Sequence, residues 1–329
     1  MEAQGGAELC FPELLNASCR KPTPPWSKVV LLQIVLSSVS VLTVALNLLV
    51  IVSVSHFRQL HVPTNLLLLS LSVSDFLVGL VFLPGEILRN TSCWFLGDFL
   101  CSLYKCISTI AVTASVGDMV LISVDRYVAI CDPMHYTSRI TVRRMKLSIF
   151  LCWVYSALYS NLFLKDDLYQ PNRLNSCHGE CEILVGYISG TVDLVLTFIL
   201  PISVIIILYM RVFMVAVSQA RAMRSHVTAV TLRRSVAVLP KKSELKAART
   251  LGVLVVVFLI CFSPVYYTSF SVETSITSPS GSFLIYLFCF NPCLNPLIYA
   301  LFYPWFRKAV KLVVTLQILQ PGSREANVL

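Results

Sequence analysis

The sequence predicts an all-α membrane protein: a bundle of seven transmembrane helices followed by a short amphipathic eighth. Three observations carry this. Hydrophobic residues make up 56% of the 329 and charged residues 13%, and mean hydropathy is +0.76. Soluble chains carry about 25% charge, so a chain this apolar takes lipid as its solvent. Second, seven apolar stretches are of the order of the roughly 20 residues that cross a hydrocarbon core. In lipid only helices or closed barrels satisfy the backbone, and runs this long do not alternate as barrel strands do. Third, the basic residues gather at one set of loops.

The stretches follow in order. The first, 29–55, carries Asn47, and the second, 64–88, carries Leu71-Ser72-Val73-Ser74-Asp75. The third, 98–130, begins near Cys101, holds Asp118 midway and closes on Asp125-Arg126-Tyr127. The fourth, 147–164, contains Trp153 and is interrupted near its end by Asn161 and Lys165. The fifth, 183–214, holds Asp193, Pro201 and Tyr209, and the sixth, 246–271, holds Cys261-Phe262-Ser263-Pro264. The seventh, 280–304, carries Asn291 and Asn295-Pro296-Leu297-Ile298-Tyr299. The expected division is an extracellular N-terminus over 1–28, the helical domain over 29–304, an amphipathic helix over 305–316 and a cytoplasmic tail over 317–329. No internal repeat is visible.

An odd number of crossings puts the termini on opposite sides. With the N-terminus outside, 19 of the 26 Lys and Arg fall at or beyond the inner helix ends. Positive loops stay inside, so this orientation is expected, with the chain multi-pass in the plasma membrane. The net charge of +9 is then a topology signal and not a nucleic-acid footprint. The outer side holds ten carboxylates against seven basic residues, a mouth that favours cations. Residues 1–28 lack the basic start and apolar core of a cleavable signal, which leaves targeting to the first helix. The sequons at Asn16 and Asn90 both fall outside, where glycosylation occurs. Of the twelve cysteines, Cys10, Cys19, Cys93, Cys101, Cys177 and Cys181 lie on the same oxidising side, where disulfides persist. The other six lie in helices or at an inner helix end and read as small buried hydrophobes. No cysteine follows Cys293, so the tail offers no palmitoylation site.

The polar residues within the spans, one motif per helix and in order, resemble those of rhodopsin-like G-protein-coupled receptors. The seventh helix narrows this. Asn291, Asn295-Pro296, Tyr299, Tyr303 and Trp305-Phe306 are similar to the fingerprint of trace amine-associated receptors, with Pro292 where that fingerprint has Ser. Cys10-Phe11-Pro12, Asn16-Ala17-Ser18-Cys19 and Cys177-His178-Gly179-Glu180-Cys181 resemble the same family. The resemblance covers the whole chain. It departs at Phe262, where most relatives carry Trp, and at Leu46, where a Gly usually precedes the first-helix Asn.

The resemblance implies several roles. Cys101 bonds Cys181, and Cys177 bonds the N-terminus through Cys19 or Cys10. Arg126, beside Asp125 and Tyr127, pairs with Glu244 at rest, and Tyr209 and Tyr299 receive the freed arginine on activation. Pro264 and Pro296 kink their helices and supply hinges for admitting a heterotrimeric G protein of the stimulatory, olfactory type. Asp75, Ser115, Asn291 and Asn295 form an allosteric sodium site or an uncharged hydrogen-bond network. No other cofactor is expected. Asp118 reads as a protonated or hydrogen-bonded acid facing Ser70 and Trp153, or as a ligand or ion site.

Amine receptors usually place an Asp seven residues after the third-helix Cys. Here that residue is Ser108, and the Tyr that supports it from the seventh helix is Cys289. Asp193 restores an anchor. It lies eight residues before Pro201, about 12 Å of helical rise, among apolar neighbours where an unpaired carboxylate is costly. Some fish-type members of the family carry an Asp there and lack the third-helix one. The implied ligand is a small amine with its ammonium on Asp193. Its walls are Ser108, Thr109, Val112, Tyr266 and Ser269, with Ile285 opposite, and Tyr266 can face the cation. Hydrogen bonds to Thr109 or Thr113 alone are the other reading of Asp193. Glu86 or Glu273 would hold the far end of a diamine, or is simply solvated.

Other classes fit less well. A conventional amine receptor conflicts with Ser108, and a receptor for a non-amine ligand conflicts with Asp193. A transporter would show inverted repeats and broken helices at the midplane. An intramembrane enzyme needs a nucleophile with a base or a metal cluster, and all five His fall in loops.

Overall fold

The computed structural model describes residues 9–13, 18–19, 26–165, 177–181, 187–228, 252–264 and 279–328. Eight helices are described. α1 is Trp26–His56, α2 is Pro63–Thr91, α3 is Gly97–Cys131 and α4 is Val142–Phe163. α5 runs from Tyr187 to Thr228. α6 is described over Gly252–Pro264, α7 is Pro279–Phe302 and α8 is Pro304–Val314.

Local chemistry sets the ends. Pro63 opens α2 and Pro304 opens α8, at the first-turn position where a missing N–H costs nothing. Thr141 caps α4 by accepting the Arg144 N–H, so α4 begins five residues before the apolar run, with Arg143, Arg144 and Lys146 in its first turns. Two helices contain a widened turn, Val78–Phe82 in α2 and Leu194–Ile199 in α5. Each lies just ahead of a proline, Pro84 or Pro201. A proline ring clashes with the carbonyl four residues back, and a π-type turn relieves that clash.

α1, α2, α3 and α5 are each long and apolar enough to cross a membrane, and the described parts of α6 and α7 are shorter apolar helices. Leu31, Phe150, Leu158, Ile207, Phe213 and Leu301 lie exposed on the bundle's flanks, the arrangement that suits a lipid solvent. The core gathers Leu67, Leu71, Met119, Ile122, Phe258, Phe262, Tyr299 and Phe306. Gly85 is needed here: a Cβ would sit 2.2 Å from the Tyr104 ring.

Three disulfides knot one end of the bundle: Cys101–Cys181, Cys19–Cys177 and Cys10–Cys93. Of the two partners open to Cys177, Cys19 takes it. Cys10 bonds Cys93, a bridge that the sequence reading did not include. The loop segment Cys177–Cys181 is further tied by Cys19 N–H to His178 O at 2.9 Å and Trp94 N–H to Gly179 O at 2.9 Å. Gly179 holds φ +107°, with the Cys10 Cβ 2.7 Å from where its own would be.

At the opposite, basic end the tail folds back. The short helical turns Gln317–Leu319 and Ser323–Glu325 follow α8. His56 Nε2 meets Ser323 Oγ at 3.0 Å, Arg58 pairs with Glu325 at 3.7 Å, and Val328 is fully buried.

Candidate functional site

Asp193 ends the first helical turns of α5, at the start of the π-type turn. It is half-buried. The Tyr159 hydroxyl of α4 donates to its Oδ1 at 2.5 Å, and the Thr197 hydroxyl shares its one proton between the Asp193 carbonyl at 2.8 Å and the same Oδ1 at 3.2 Å. Thr109 and Thr113 make no hydrogen bond to Asp193 among the described residues. That alternative is corrected: the donors are Tyr159 of α4 and Thr197, four residues on along α5 and so on the same helix face. No Lys or Arg among the described residues pairs with Asp193.

The other expected wall residues are placed unevenly. Ser108 is buried and its hydroxyl has no partner among the described residues, and Cys289 on α7 is fully buried against Leu36 and Val39 of α1 and Leu83 of α2. Thr109 and Val112 are half-buried. Tyr266, Ser269, Glu273 and the side chain of Ile285 lie outside the described residues, as do Asn16 and Glu244.

Glu86 is neither solvated nor available. It is buried and accepts from Tyr104 Oη at 2.6 Å, Arg89 Nη2 at 2.8 Å and Asn90 Nδ2 at 3.2 Å. The arginine beside it neutralises the charge, so it is a local ion pair and not a mouth carboxylate. The Asn90 amide also donates to the Glu86 carbonyl at 2.7 Å.

Deeper in the bundle, Asn295 Nδ2 donates to Asp75 Oδ2 at 2.8 Å. Ser115 donates to Ser74 at 2.9 Å, and Asn291 is buried nearby on α7. Asp75 Oδ1 and Asn295 Oδ1 are buried without a hydrogen-bond partner. Such oxygens are the ligand type of a hard cation. Asp118 is fully buried and accepts from Ser70 Oγ at 2.8 Å, which in turn accepts from Trp153 Nε1 at 3.0 Å. This chain joins α2, α3 and α4.

At the basic end Asp125 and Arg126 are both buried. Arg126 Nε and Nη2 donate to Asp125 Oδ2 at 3.0 and 2.5 Å. Thr64 closes the triangle, accepting from Arg126 at 2.7 Å and donating to Asp125 at 3.0 Å. Tyr136, in the helical turn Tyr136–Arg139, donates to Asp125 Oδ1 at 3.0 Å. Burial, then the Asp125 charge, push its phenol up to about 12, so it remains a donor at neutral pH. In the same loop, a hydrogen bond from His135 and the Arg139 charge hold Asp132 below the usual carboxylate value. Tyr127 is half-buried against Ile130 and Val212. The Tyr209 and Tyr299 hydroxyls are buried without hydrogen-bond partners. Phe262 lies 4.1 Å from Phe258 and 4.7 Å from Phe288, ring centre to ring centre.

A family model described as "7 transmembrane receptor (rhodopsin family)" matches residues 46–299. Trace amine-associated receptor 13c of Danio rerio is 34% identical over 98% of this chain and 96% of its own length. Trace amine-associated receptor 8a of Rattus norvegicus is 37% identical over 98% and 96%, and receptor 6 of Homo sapiens 36% over 97% and 95%. The chain belongs to the trace amine-associated receptors of the rhodopsin family. It is a receptor and not an enzyme.

In this trace amine-associated receptor the sequence reading missed four side chains that complete the sites: Tyr159, Thr197, Thr64 and Tyr136. One signal was visible. Tyr155, Tyr159 and Phe163 recur every four residues, the spacing of one helix face. The Cys10–Cys93 bridge also had a signal, since pairing Cys177 with Cys19 leaves only these two outer cysteines.

Proposed function

We propose that this receptor senses a small amine whose ammonium pairs with Asp193, and that it activates a heterotrimeric G protein of the stimulatory type, raising cyclic AMP. One observation carries the reading: a half-buried carboxylate has hydroxyl donors on one oxygen and no cationic side chain among the described residues. Carboxylates inside a membrane bundle mark ligand or ion pathways. The relatives' names, trace amine-associated receptors, point the same way. Ser108, with its unpartnered hydroxyl, and Thr109 and Val112 line the approach from α3. The Glu86–Arg89 pair takes up Glu86, which leaves Glu273 as the carboxylate for the far end of a diamine.

The test is a panel of amines on cells carrying a cyclic AMP reporter. Asp193→Asn keeps shape and removes charge. Losing one partner of a buried charge pair costs about 3–5 kcal/mol, roughly two to four decades of potency. That loss is expected at matched surface receptor number. Unchanged potency would support a second reading that the two hydroxyls also suit: Asp193 as a pin between α4 and α5 in a receptor for a non-amine ligand.

The resting receptor holds a sodium ion at Asp75, Ser115, Asn291 and Asn295 in this reading, supported by the unpartnered oxygens there. Glu244 pairs with Arg126 at rest, and Tyr209 and Tyr299 receive the arginine when α6 moves. The N-terminus faces outward in the plasma membrane, with the basic end towards the G protein.

A further inference from the structure

Asp193 does not present two equal oxygens. Tyr159 donates to Oδ1, Thr197 shares its proton between Oδ1 and the Asp193 carbonyl, and no hydrogen bond reaches Oδ2 among the described residues. Tyr159 is buried. Its ring is stacked on Tyr155 at 6.1 Å and 25° and on Phe163 at 5.8 Å and 14°. The three rings stand on one face of α4, at the four-residue spacing that places side chains one above another. The stack fixes the ring, and the ring fixes the hydroxyl. With aromatic neighbours four residues away on either side, Tyr159 meets Asp193 through its hydroxyl.

We propose that Tyr159 is a positioning residue for the ammonium anchor and sets which ammonium groups the receptor accepts. This rests on the reading of Asp193 as that anchor. With Oδ1 occupied and the carboxylate unable to rotate freely, Oδ2 is the single acceptor turned to the ligand. One directional, charge-assisted hydrogen bond requires an N–H on the cation. Primary, secondary and tertiary ammonium groups supply it. A quaternary ammonium cannot. The site therefore selects protonated amines over their quaternary analogues. Thr197 holds the carboxylate from below and the Tyr159 hydroxyl holds it from α4.

The experiment compares primary amines with their trimethylated quaternary analogues on the full-length receptor in cells, with surface receptor counted. Wild type, Tyr159→Phe, Thr197→Val and Asp193→Asn are measured side by side. Tyr159→Phe preserves the aromatic stack and removes only the hydroxyl. A hydrogen bond to a charged group contributes enough that its loss should lower primary-amine potency about tenfold. Quaternary potency should change little, so the preference ratio falls. A packing defect would lower both by the same factor, and that outcome overturns the proposal. So does wild-type potency and selectivity in Tyr159→Phe while Asp193→Asn loses its response, which leaves the anchor reading intact. Unchanged potency in Asp193→Asn, or a wild-type receptor silent to every amine, sinks the anchor and this inference together.

Discussion

At the residue scale, a triangle of hydrogen bonds forms at the basic end, with Tyr136 donating into it. Arg126, Asp125 and Thr64 satisfy one another, and Tyr136 reaches in from the neighbouring loop. Arg126→Ala should abolish G-protein activation and leave surface expression largely intact. Normal agonist-driven cyclic AMP from that mutant would contradict the assignment. Tyr136→Phe removes a neutral donor to a charged acceptor, a bond worth about 1.5–3 kcal/mol. Basal cyclic AMP should rise severalfold at matched expression, because Asp125 then holds the resting arrangement less firmly. No rise would assign Tyr136 to loop packing alone. The Asp75 site makes a separate prediction. Raising sodium should weaken agonist binding in wild type and leave Asp75→Asn insensitive; equal sodium sensitivity in both would remove the ion from this site.

Elements show where sequence rules meet packing. The sequence reading measured Asp193 against Pro201 along an ideal helix. α5 instead widens over Leu194–Ile199, and the extra residue rotates the preceding turn relative to the rest. Asp193 meets Tyr159 of α4 and, among the described residues, neither Thr109 nor Thr113. At the disulfide end, the first outer segment is joined both to the loop before α3 and to the loop before α5. Six thiols remain free: Cys106, Cys131, Cys152, Cys261, Cys289 and Cys293. Denaturing alkylation without reduction should therefore label six cysteines, and after reduction twelve. Labelling of Cys10 or Cys93 before reduction would disprove the third bridge. A receptor carrying Cys10→Ser and Cys93→Ser together should keep Cys101–Cys181 and melt earlier in detergent, since cross-links restrict the unfolded chain.

For the whole molecule, orientation is the prediction that matters most. In the proposed orientation, with the basic loops inside, an N-terminal epitope should stain intact cells and a C-terminal one only permeabilised cells. The reverse pattern would put the disulfides in a reducing compartment and undo the reading of the mouth. The folded-back tail bears on the same face. Val328 is buried, and Ser323 and Glu325 contact His56 and Arg58. A tail of mixed polar and apolar residues gave no periodic signal that it would pack there.

The sequence by itself determined the apolar character, the all-α class and the family. Each of these is written in local composition or in short motifs: apolar run length, Asp125-Arg126-Tyr127, Asn295-Pro296 and Tyr303 to Phe306. The chain Asp118–Ser70–Trp153 was legible too, because three polar residues in lipid have few partners but one another. Only the tertiary structure decided what each charge meets. Glu86 and Asp193 are both carboxylates near the disulfide end, yet one is consumed by Arg89 and the other meets only hydroxyls and its own helix. That difference arises from helix rotation, from a π-type turn of one extra residue and from a glycine, Gly85, that lets Tyr104 close on α2. Rotation about a helix axis depends on packing against neighbours distant in the chain, and no local pattern encodes it.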